Sequence, residues 1–274
     1  MNIQVAIGGI GGSGTRVVAK IIKDAGYFIG QDLNRPLDNL LFTLFFKRKE
    51  ILTLSDEEFG ILWSLFKRLM SQSSELSITE FETIKSLAKN SRLGHNSKWL
   101  QDRVDNLKKY SNYPHNKWAW KEPNTHIVID KLLDKEENLK FIYVYRNGLD
   151  MAYSDNQNQL KLWGPTFLND KTLEISPSNS LKYWCLTHQR MLSLKEKYSS
   201  RVLFVEFESL CRNPIEKVKE IEQFSESKIT EERLEELLSS ISLPSSVDRY
   251  KNYSLDNYDE KDIEYVKNIY KMSL

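Results

Sequence analysis

The chain has 274 residues, of which 40% are hydrophobic and 28% are charged, and its formal net charge is +1. A chain of this length buries roughly 75% of its unfolded surface, so its core can form without disulfides or structural metals. The nearly neutral charge excludes a general attraction to nucleic acid or to a membrane surface, and any anion must therefore bind at a local site.

Composition also indicates the compartment of the protein. The two cysteines, Cys185 and Cys211, form neither a disulfide framework nor a zinc-type pair, which favours a reducing compartment. No apolar stretch reaches the ~20 residues of a membrane span. The N-terminus enters an apolar strand at Ile3 without a basic segment or a cleavage site, which argues against a signal peptide. We therefore expect a cytoplasmic protein with no membrane span, no nucleic-acid partner and no metal.

The first predicted elements are a strand, a glycine-rich turn, a helix and a second strand. Residues 3–7 are β-branched and apolar, and five glycines occur within residues 8–14. Apolar residues then recur at helical spacing over 17–25, and residues 27–29 are predicted as the second strand. This order of elements predicts an α/β fold with a parallel sheet.

A segment of different character follows, from about residue 34 to residue 113. Its apolar residues recur at helical spacing around 40–45, 59–69, 78–89 and 98–110, and no strand is evident. The pattern predicts a helical insertion of about four helices within the α/β frame.

The α/β alternation returns after the insertion. Strands are predicted over 117–120, 139–145 and 201–206, and a long helix is predicted over 181–198. Together, the elements predict a single domain, 1–274, with three layers and a central parallel sheet.

The glycine-rich loop admits several interpretations. Residues 9–14 match the G-x-G-x-x-G fingerprint of dinucleotide-binding folds, with Asp32 placed to bind a ribose, and this favours an NAD-dependent oxidoreductase. The same spacing matches the P-loop of nucleotide triphosphatases, but Thr15 and Arg16 stand where Lys and Ser/Thr are needed. A purely structural glycine turn is a third interpretation.

A fourth interpretation is that the loop holds the 5′ group of a different phosphorylated nucleotide. Backbone N–H groups and a helix N-terminus bind anions, and hydroxyl and guanidinium groups add further donors. The ligands predicted on this interpretation are Gly11, Gly12, Ser13, Gly14, Thr15 and Arg16.

A second candidate site follows the strand 139–145. This strand ends in Arg146, and Ser154 follows in "RNGLDMAYS", where we expect it on the second turn of the next helix. Both side chains then face one crevice at the carboxyl edge of the sheet. A guanidinium fork and a hydroxyl together form a receptor for a phosphate monoester. Taken singly, Arg146 fits a helix-capping ion pair and Ser154 fits a solvated position on a helix.

Together with the loop, this motif resembles the sulfotransferase family that uses 3′-phosphoadenosine-5′-phosphosulfate (PAPS). The stretch "GGIGGSGTR" over 8–16 resembles the 5′-phosphosulfate loop of the family, and "YVYRNGLDMAYS" over 143–154 resembles its 3′-phosphate motif. The stretches "VEFESLCRNP" over 205–214 and "LPSSVDRYK" over 243–251 also fit. The chain is thus identified as a bacterial-type member of this family.

The resemblance implies a P-loop-like fold that binds PAPS and releases adenosine 3′,5′-bisphosphate (PAP) without a metal. The stretch 243–251 resembles the segment that closes over the cofactor through basic residues, which are Arg249 and Lys251 in this chain. Two positions depart from the family pattern. Gly12 stands where many members have Lys or Arg, and Asp248 stands where related sequences often have glycine.

The resemblance also implies the reaction, which is an in-line transfer of the sulfuryl group to a hydroxyl or amine acceptor. Cations that stabilise the charge developing on the bridging oxygen accelerate such a transfer. Arg16 is the first candidate, since it can replace the charge missing at Gly12. Lys121, in "WAWKEPNTH", is the second, because it follows a short predicted strand and should reach the same edge of the sheet. The resemblance supports this choice, since family members carry a catalytic lysine at the end of the corresponding strand.

The acceptor hydroxyl needs a general base. The candidates in the sequence are Asp32, Glu122, Asp38 and His126. Some members, such as protein-tyrosine sulfotransferases, use a carboxylate just after the second strand, which favours Asp32 as a catalytic residue, with Glu122 second. Other members use a histidine close to the lysine strand, and Pro123 occupies that place here.

The acceptor itself is left open among carbohydrate, lipid, small-molecule and peptide hydroxyls. Trp and Phe residues of the insertion and of "LKLWGPTF" over 160–167 are placed to stack on a sugar or an aryl group. Aromatic residues at helical spacing also form cores, and His188, on the apolar face of the long helix, is predicted to be a core histidine. A protein that binds the nucleotide without turning it over is a further alternative.

Overall fold

A four-stranded, wholly parallel sheet lies at the centre of the computed structural model, which describes residues 3–71, 75–92, 94–110 and 114–270. The strands lie in the order β2-β1-β3-β4. They are β1 (Ile3–Gly9), β2 (Lys117–Lys121), β3 (Leu139–Tyr145) and β4 (Val202–Glu206). These four predicted strands and the parallel α/β arrangement are confirmed, and the carboxyl ends of all four strands meet at one edge of the sheet.

The prediction of a strand over 27–29 is wrong, because the structure has only a single-residue bridge in this segment. Within this segment Phe28 forms an isolated parallel bridge with Trp118 of β2. Gly26 and Gly30 flank the bridge with φ angles of 90° and 116°, a left-handed backbone that turns the chain at both ends of the segment. The segment is therefore held to the edge of the sheet at a single residue.

Helices surround the sheet and fill the connections between its strands. In chain order they are α1 (Thr15–Asp24), α2 (Leu40–Phe46), α3 (Asp56–Ser71), α4 (Ile78–Ser86), α5 (Ser97–Asn106), α6 (Ile129–Lys135), α7 (Gly148–Ala152), α8 (Asn158–Phe167), α9 (Pro177–Lys197), α10 (Phe207–Arg212), α11 (Pro214–Ser225), α12 (Glu231–Ser240) and α13 (Glu260–Tyr270). The four helices predicted for the insertion are confirmed as α2 to α5, and its predicted last residues, 111–113, lie outside the described residues. None of the helices in the described ranges has the length and apolar character that crossing a membrane requires.

The strands bury side chains on both faces of the sheet, which gives the predicted three layers. On one face, Val5 and Ile142 pack with α1, α11 and α12. On the opposite face, Trp118, Trp120 and Tyr143 pack with α2, α3, α6 and α9. Successive strand residues point to opposite faces, so each layer receives alternate residues of the same strands.

The helical insertion is part of the second of these layers. Trp63 of α3 lies 6.3 and 5.6 Å, between ring centroids, from Trp118 and Trp120. Phe66 lies 6.2 and 5.7 Å from the same two rings. All four rings are buried. These aromatic side chains of the insertion therefore belong to the core and do not form an acceptor surface.

His188 of α9 is buried, as predicted. Its ring stacks on Trp184 with a centroid distance of 4.9 Å and an interplanar angle of 7°. Tyr145 and Phe204 contact it edge-on. Burial lowers the pKa of His188 to about 4, so the imidazole is neutral in the folded protein near neutral pH.

The burial of His188 predicts a pH-dependent stability. Its pKa is 6.5 ordinarily and about 4 in the folded protein, so the unfolded chain takes up the proton first and stability is lost as the pH falls from 6.5 towards 4. Between pH 7 and pH 5, we expect this side chain to reduce the free energy of unfolding by about 2 kcal/mol.

Urea unfolding of the wild-type protein and of His188→Phe at both pH values measures this effect. The substituted protein should lose less stability on acidification, while His126, whose pKa burial also lowers to about 4, contributes the same slope to both proteins. Equal losses in the two proteins would contradict the prediction.

Candidate functional site

The glycine-rich loop joins β1 to α1 at the carboxyl edge of the sheet. Gly12 and Gly14 adopt φ angles of 96° and 90°, which residues with a Cβ rarely adopt. A Cβ on Gly14 would also lie 2.1 Å from the ring of Phe207. The backbone of the loop therefore lies directly against α10 and turns at once into α1.

The first turn of α1 has unpaired hydrogen-bond donors. Its N-cap, Gly14, offers no side-chain acceptor, and within the described residues the backbone N–H groups of Thr15 and Arg16 have no partner. The hydroxyl of Ser13, 1% exposed as a residue, is also buried without a partner in the described part of the chain. Free donors at the positive end of a helix favour the binding of an anion.

Gln159 of α8 holds the glycine loop in shape. Its Oε1 accepts a hydrogen bond from the backbone N–H of Gly11 at 2.7 Å, and its Nε2 donates to the carbonyl of Gly9 at 3.2 Å. The N–H of Gly11, a predicted nucleotide ligand, is thus already bonded. Sequence reasoning missed Gln159 because it lies 148 residues from Gly11 and belongs to no recognisable motif.

Arg146 lies at the end of β3, beside the same loop, and is buried. Its Nε donates to Oε1 of Glu208 at 3.0 Å. Its Nη2 donates to the hydroxyl of Ser246 at 3.2 Å, and its Nη1 donates to the carbonyl of Gly12 at 3.4 Å. The ion pair with Glu208 therefore orients the guanidinium so that both terminal nitrogens face the loop and the segment of Ser246.

Ser154 does not lie on a helical turn, so that expectation is wrong. Helix α7 ends at Ala152, because the side chain of Gln157 donates to the carbonyls of Met151, Ala152 and Ser154 at 3.1, 3.4 and 2.8 Å. These bonds satisfy carbonyls that a further helical turn would use. Ser154 nevertheless lies beside the loop, since a Cβ placed on Gly12 would be 3.7 Å from its hydroxyl.

The two basic residues predicted to close over the cofactor, Arg249 and Lys251, both have partners within the protein. Arg249 donates to the carbonyl of Tyr153 at 3.1 Å and to that of Ser246 at 3.2 Å. Lys251 is exposed and forms an ion pair with Asp248 at 3.0 Å. Arg249 thus anchors this segment to the chain just after α7, next to Ser154.

Asp150 fixes the same segment and was missed by sequence reasoning, although it lies in the same motif as Arg146. Its carboxylate accepts the N–H groups of Asp248 and Tyr250 at 2.9 and 3.2 Å. Burial raises the pKa of Asp150. Asp248 has a left-handed φ of 63°. Glycine adopts this backbone conformation readily, which explains why related sequences often have glycine at this position.

Lys121 lies on the other side of the loop, at the end of β2. It is 3% exposed, and its Nζ donates to Oδ1 of Asp38 at 2.5 Å and to the carbonyl of Pro36 at 3.1 Å. The side chain of Asn34 bonds both the carboxylate and the N–H of Asp38 and so holds this turn. Because β1 lies between β2 and β3, Lys121 and Arg146 stand on opposite sides of the glycine loop.

Asp32, the favoured general base, is bound to the helical insertion. Its carboxylate forms an ion pair with Arg103 of α5 at 3.3 Å and accepts a hydrogen bond from Asn106 at 3.2 Å. The turn that follows Asp32 brings the next acid, Asp38, against Lys121 instead.

The remaining base candidates, Glu122 and His126, are buried and form hydrogen bonds with residues close to them in sequence. Glu122 accepts from the backbone N–H of Asn124 at 2.5 Å, which caps the short helix Pro123–Ile127, and burial raises its pKa. The Nδ1 of His126 bonds to the carbonyl of Pro123 at 2.7 Å, and burial lowers the pKa of His126 to about 4. Both side chains therefore serve the structure of this turn.

Arg16 lies in the first turn of α1 with its side chain exposed. The side chain lines a cavity together with Arg35, and within the described residues it forms no ion pair or hydrogen bond. In the described ranges, no three His, Cys, Asp or Glu side chains lie close enough together to hold a metal ion.

Comparisons with known proteins relate the whole described chain to one family. A family model described as a sulfotransferase domain matches residues 3–273. The sulfotransferase domain from the curacin biosynthetic pathway is 12% identical, covers 100% of this chain and 98% of its own, and has a TM-score of 0.53. The sulfotransferase domain of the Synechococcus PCC 7002 olefin synthase is 13% identical to this chain and has a TM-score of 0.49. The match covers 99% of this chain and 95% of that domain. A mouse sulfotransferase complexed with PAP is 13% identical to this chain and has a TM-score of 0.45. The match covers 100% of this chain and 86% of the mouse chain.

The two hydrogen bonds of Gln159 predict a loss of stability on its replacement. Gln159→Leu keeps the volume of the side chain but leaves the N–H of Gly11 and the carbonyl of Gly9 unpaired. We expect the free energy of unfolding, measured in urea, to fall by about 2–4 kcal/mol. Gln101→Leu, on α5, removes an exposed amide and should change the value by less than about 0.5 kcal/mol. A loss no larger than that of the control would contradict the role of Gln159.

Proposed function

The chain belongs to the sulfotransferase family, and from this membership we propose that it transfers the sulfuryl group of PAPS to a hydroxyl or amine acceptor and releases PAP. The observation that carries the proposal is the arrangement at the carboxyl edge of the sheet. The unpaired donors of the glycine loop lie between Lys121 on one side and Arg146 on the other. An NAD-dependent oxidoreductase is not favoured, since Asp32 is paired with Arg103.

The glycine loop fits a 5′-phosphosulfate. We propose that its donors hold this group through the N–H groups at the start of α1 and the hydroxyl of Ser13, which is buried without a partner among the described residues. Gly11 contributes through the shape of the loop, because its own N–H is bonded to Gln159. The proposed ligands of the loop are therefore Gly12, Ser13, Gly14, Thr15 and Arg16, and Gly11 shapes the loop without donating its N–H to the nucleotide.

The region of Arg146 fits a 3′-phosphate. Apart from Glu208, the guanidinium bonds only to neutral acceptors in the described chain, a carbonyl at 3.4 Å and a hydroxyl at 3.2 Å. A phosphate is a much stronger partner for both terminal nitrogens. We propose that Arg146 and Ser154 bind the 3′-phosphate, and that Arg249 and Lys251 complete the site from the closing segment.

The chemistry needs a cation at the leaving oxygen and a base at the acceptor. PAPS supplies an activated sulfuryl group, whose bond to the bridging oxygen breaks as the bond to the acceptor atom forms. Lys121 stabilises the negative charge on the bridging oxygen, and Arg16 adds positive charge at the first turn of α1. Asp38, bonded to Lys121, accepts the proton of the acceptor. We prefer Asp38 because its carboxylate is bonded directly to the proposed cation Lys121, whereas Asp32 pairs with Arg103 and Glu122 accepts from the backbone of Asn124.

The acceptor approaches, on this proposal, from the side of the helical insertion. The insertion, about 34–113 within a single unit of 1–274, begins with the turn that carries Asp38. We propose that the acceptor carries a hydroxyl or an amine and is a carbohydrate, a lipid or a small molecule. Cys185 and Cys211 are free thiols, which fits a reducing compartment, and we propose that the reaction takes place in the cytoplasm.

Binding of PAP tests the nucleotide site. At a hundred times its dissociation constant, PAP should add about 2.7 kcal/mol to the free energy of unfolding, seen as a rise in melting temperature. Adenosine 5′-monophosphate, which lacks the 3′-phosphate, and NAD should have much smaller effects at the same concentration. Arg146→Ala should abolish the advantage of PAP over the monophosphate.

The matched control is Arg190→Ala, which removes a part-buried arginine that bonds to the carbonyls of His126 and Ile127. This variant should keep the full response to PAP despite its own loss of stability. A stabilisation of the wild-type protein by NAD alone would refute the proposed function.

The choice of general base is tested by a pair of aspartate variants. Asp38→Asn keeps an oxygen that accepts from Lys121 but cannot take up the proton, so turnover should fall by about 10²–10⁴-fold with little change in PAP affinity. Asp32→Asn should keep turnover within a few fold. The measurement is the release of PAP from PAPS with an added alcohol, and the opposite ranking of the two variants would assign the base to Asp32.

A further inference from the structure

A cavity of about 410 Å³ lies between α1, the turn before Asp38 and the end of α12. Four cationic side chains line it, with a single acidic one, Asp24. The cations are Arg16, Lys20, Lys23 and Arg35. We call this cavity the basic groove. It lies outside the nucleotide ligands described above, apart from Arg16.

The positive charges of the basic groove are largely uncompensated. Lys20 is 4.0 Å from the carboxylate of Glu236, a long separation to a side chain that is 80% exposed. Within the described residues, Arg16, Lys23 and Arg35 form no ion pair. Like charges that share a concave surface repel one another and concentrate a positive potential there, which attracts anions.

The groove adjoins the turn that binds Lys121 and the first turn of α1. Arg35 belongs to the turn whose Pro36 carbonyl and Asp38 carboxylate bind Lys121. Arg16 lies in the first turn of α1, and Lys20 and Lys23 follow on the same face of that helix. At a rise of about 1.5 Å per residue, the cations of α1 extend roughly 10 Å away from the glycine loop.

We infer that the acceptor is anionic: besides the atom that is sulfated, it carries carboxylate, sulfate or phosphate groups that bind in the basic groove. This inference rests on the proposed function, since it names the acceptor class of the same site. The charges of PAPS itself are a second source of anions, but they have their own partners in the glycine loop and Arg146. The inference therefore assigns Lys20, Lys23 and Arg35 to the recognition of the acceptor.

A labelled oligosaccharide tests the inference directly. Fluorescein-labelled maltotetraose in sulfated and unsulfated forms is titrated with the full chain in the presence of PAP, and binding is followed by fluorescence anisotropy. We expect the sulfated form to bind at least about tenfold more tightly than the neutral form, and to lose this advantage as salt screens the groove.

A triple variant and its matched control locate the binding. Lys20→Gln/Lys23→Gln/Arg35→Gln should weaken binding of the sulfated form by at least about tenfold. Lys49→Gln/Lys89→Gln/Lys98→Gln removes the same number of exposed charges from the insertion and should leave binding within about twofold. Circular dichroism and melting temperature establish that both variants are folded.

The outcomes separate the inference from the proposed function. Equal binding of the two oligosaccharides, or equal losses in the two triple variants, would overturn the inference. A groove variant that loses its melting response to PAP would also overturn it, because the cations would then serve the nucleotide. Absence of any PAP response in the wild-type protein would instead count against the proposed function, while selective binding of the sulfated form at the groove would still stand.

Discussion

The guanidinium of Arg146 is buried at the end of β3, and a buried charge is tolerated only where it is paired and hydrogen-bonded. Glu208 supplies the opposite charge, while Gly12 and Ser246 supply a carbonyl and a hydroxyl. One side chain thereby joins the glycine loop, α10 and the closing segment, although Gly12 lies 134 residues before Arg146 and Ser246 lies 100 residues after it. The crevice that we assign to the nucleotide depends on these contacts, since each of its walls is tied to the same group.

Lys121 has a corresponding role on the other side of the glycine loop. Its ammonium is also buried, and Asp38 neutralises it. The strand order β2-β1-β3 places the two buried cations on opposite sides of the loop. Two preformed cations with hydrogen-bonded partners need little rearrangement to meet the charges of a nucleotide, which favours stabilisation of a transition state. The partner of Lys121 is a carboxylate, so the proposed cation and the proposed base form one unit.

The helical insertion contributes differently to the two requirements of folding and function. Trp63 and Phe66 of α3 pack on Trp118 and Trp120, so the insertion completes the core on one face of the sheet. On our proposal, the acceptor is recognised by the first residues of the insertion, where the turn from Asn34 to Asp38 meets β2. The basic groove adjoins this turn through Arg35. The core and the proposed recognition surface therefore come from separate parts of the same segment.

The elements of the sheet and the motifs at their ends can be predicted from the amino-acid sequence. Runs of apolar residues mark β1, β3 and β4, and glycine spacing marks the loop, because these patterns are local and reflect burial and backbone geometry. The carboxyl ends of parallel strands meet at one edge, so Arg146 and Lys121 were predicted on the correct edge of the sheet from the sequence.

The side-chain partners that meet at that edge depend on the tertiary fold and could not be predicted from local sequence patterns. Asp38 and Asp32 lie on the same short connection, yet one bonds Lys121 and the other bonds Arg103, at sequence separations of 83 and 71 residues. Gln159 and Gln157 likewise act through contacts that no local pattern indicates, one by holding the loop and the other by ending α7 before Ser154. These hydrogen bonds depend on how segments that are distant in sequence pack, because a side chain can bond only to groups that lie near it in the folded chain.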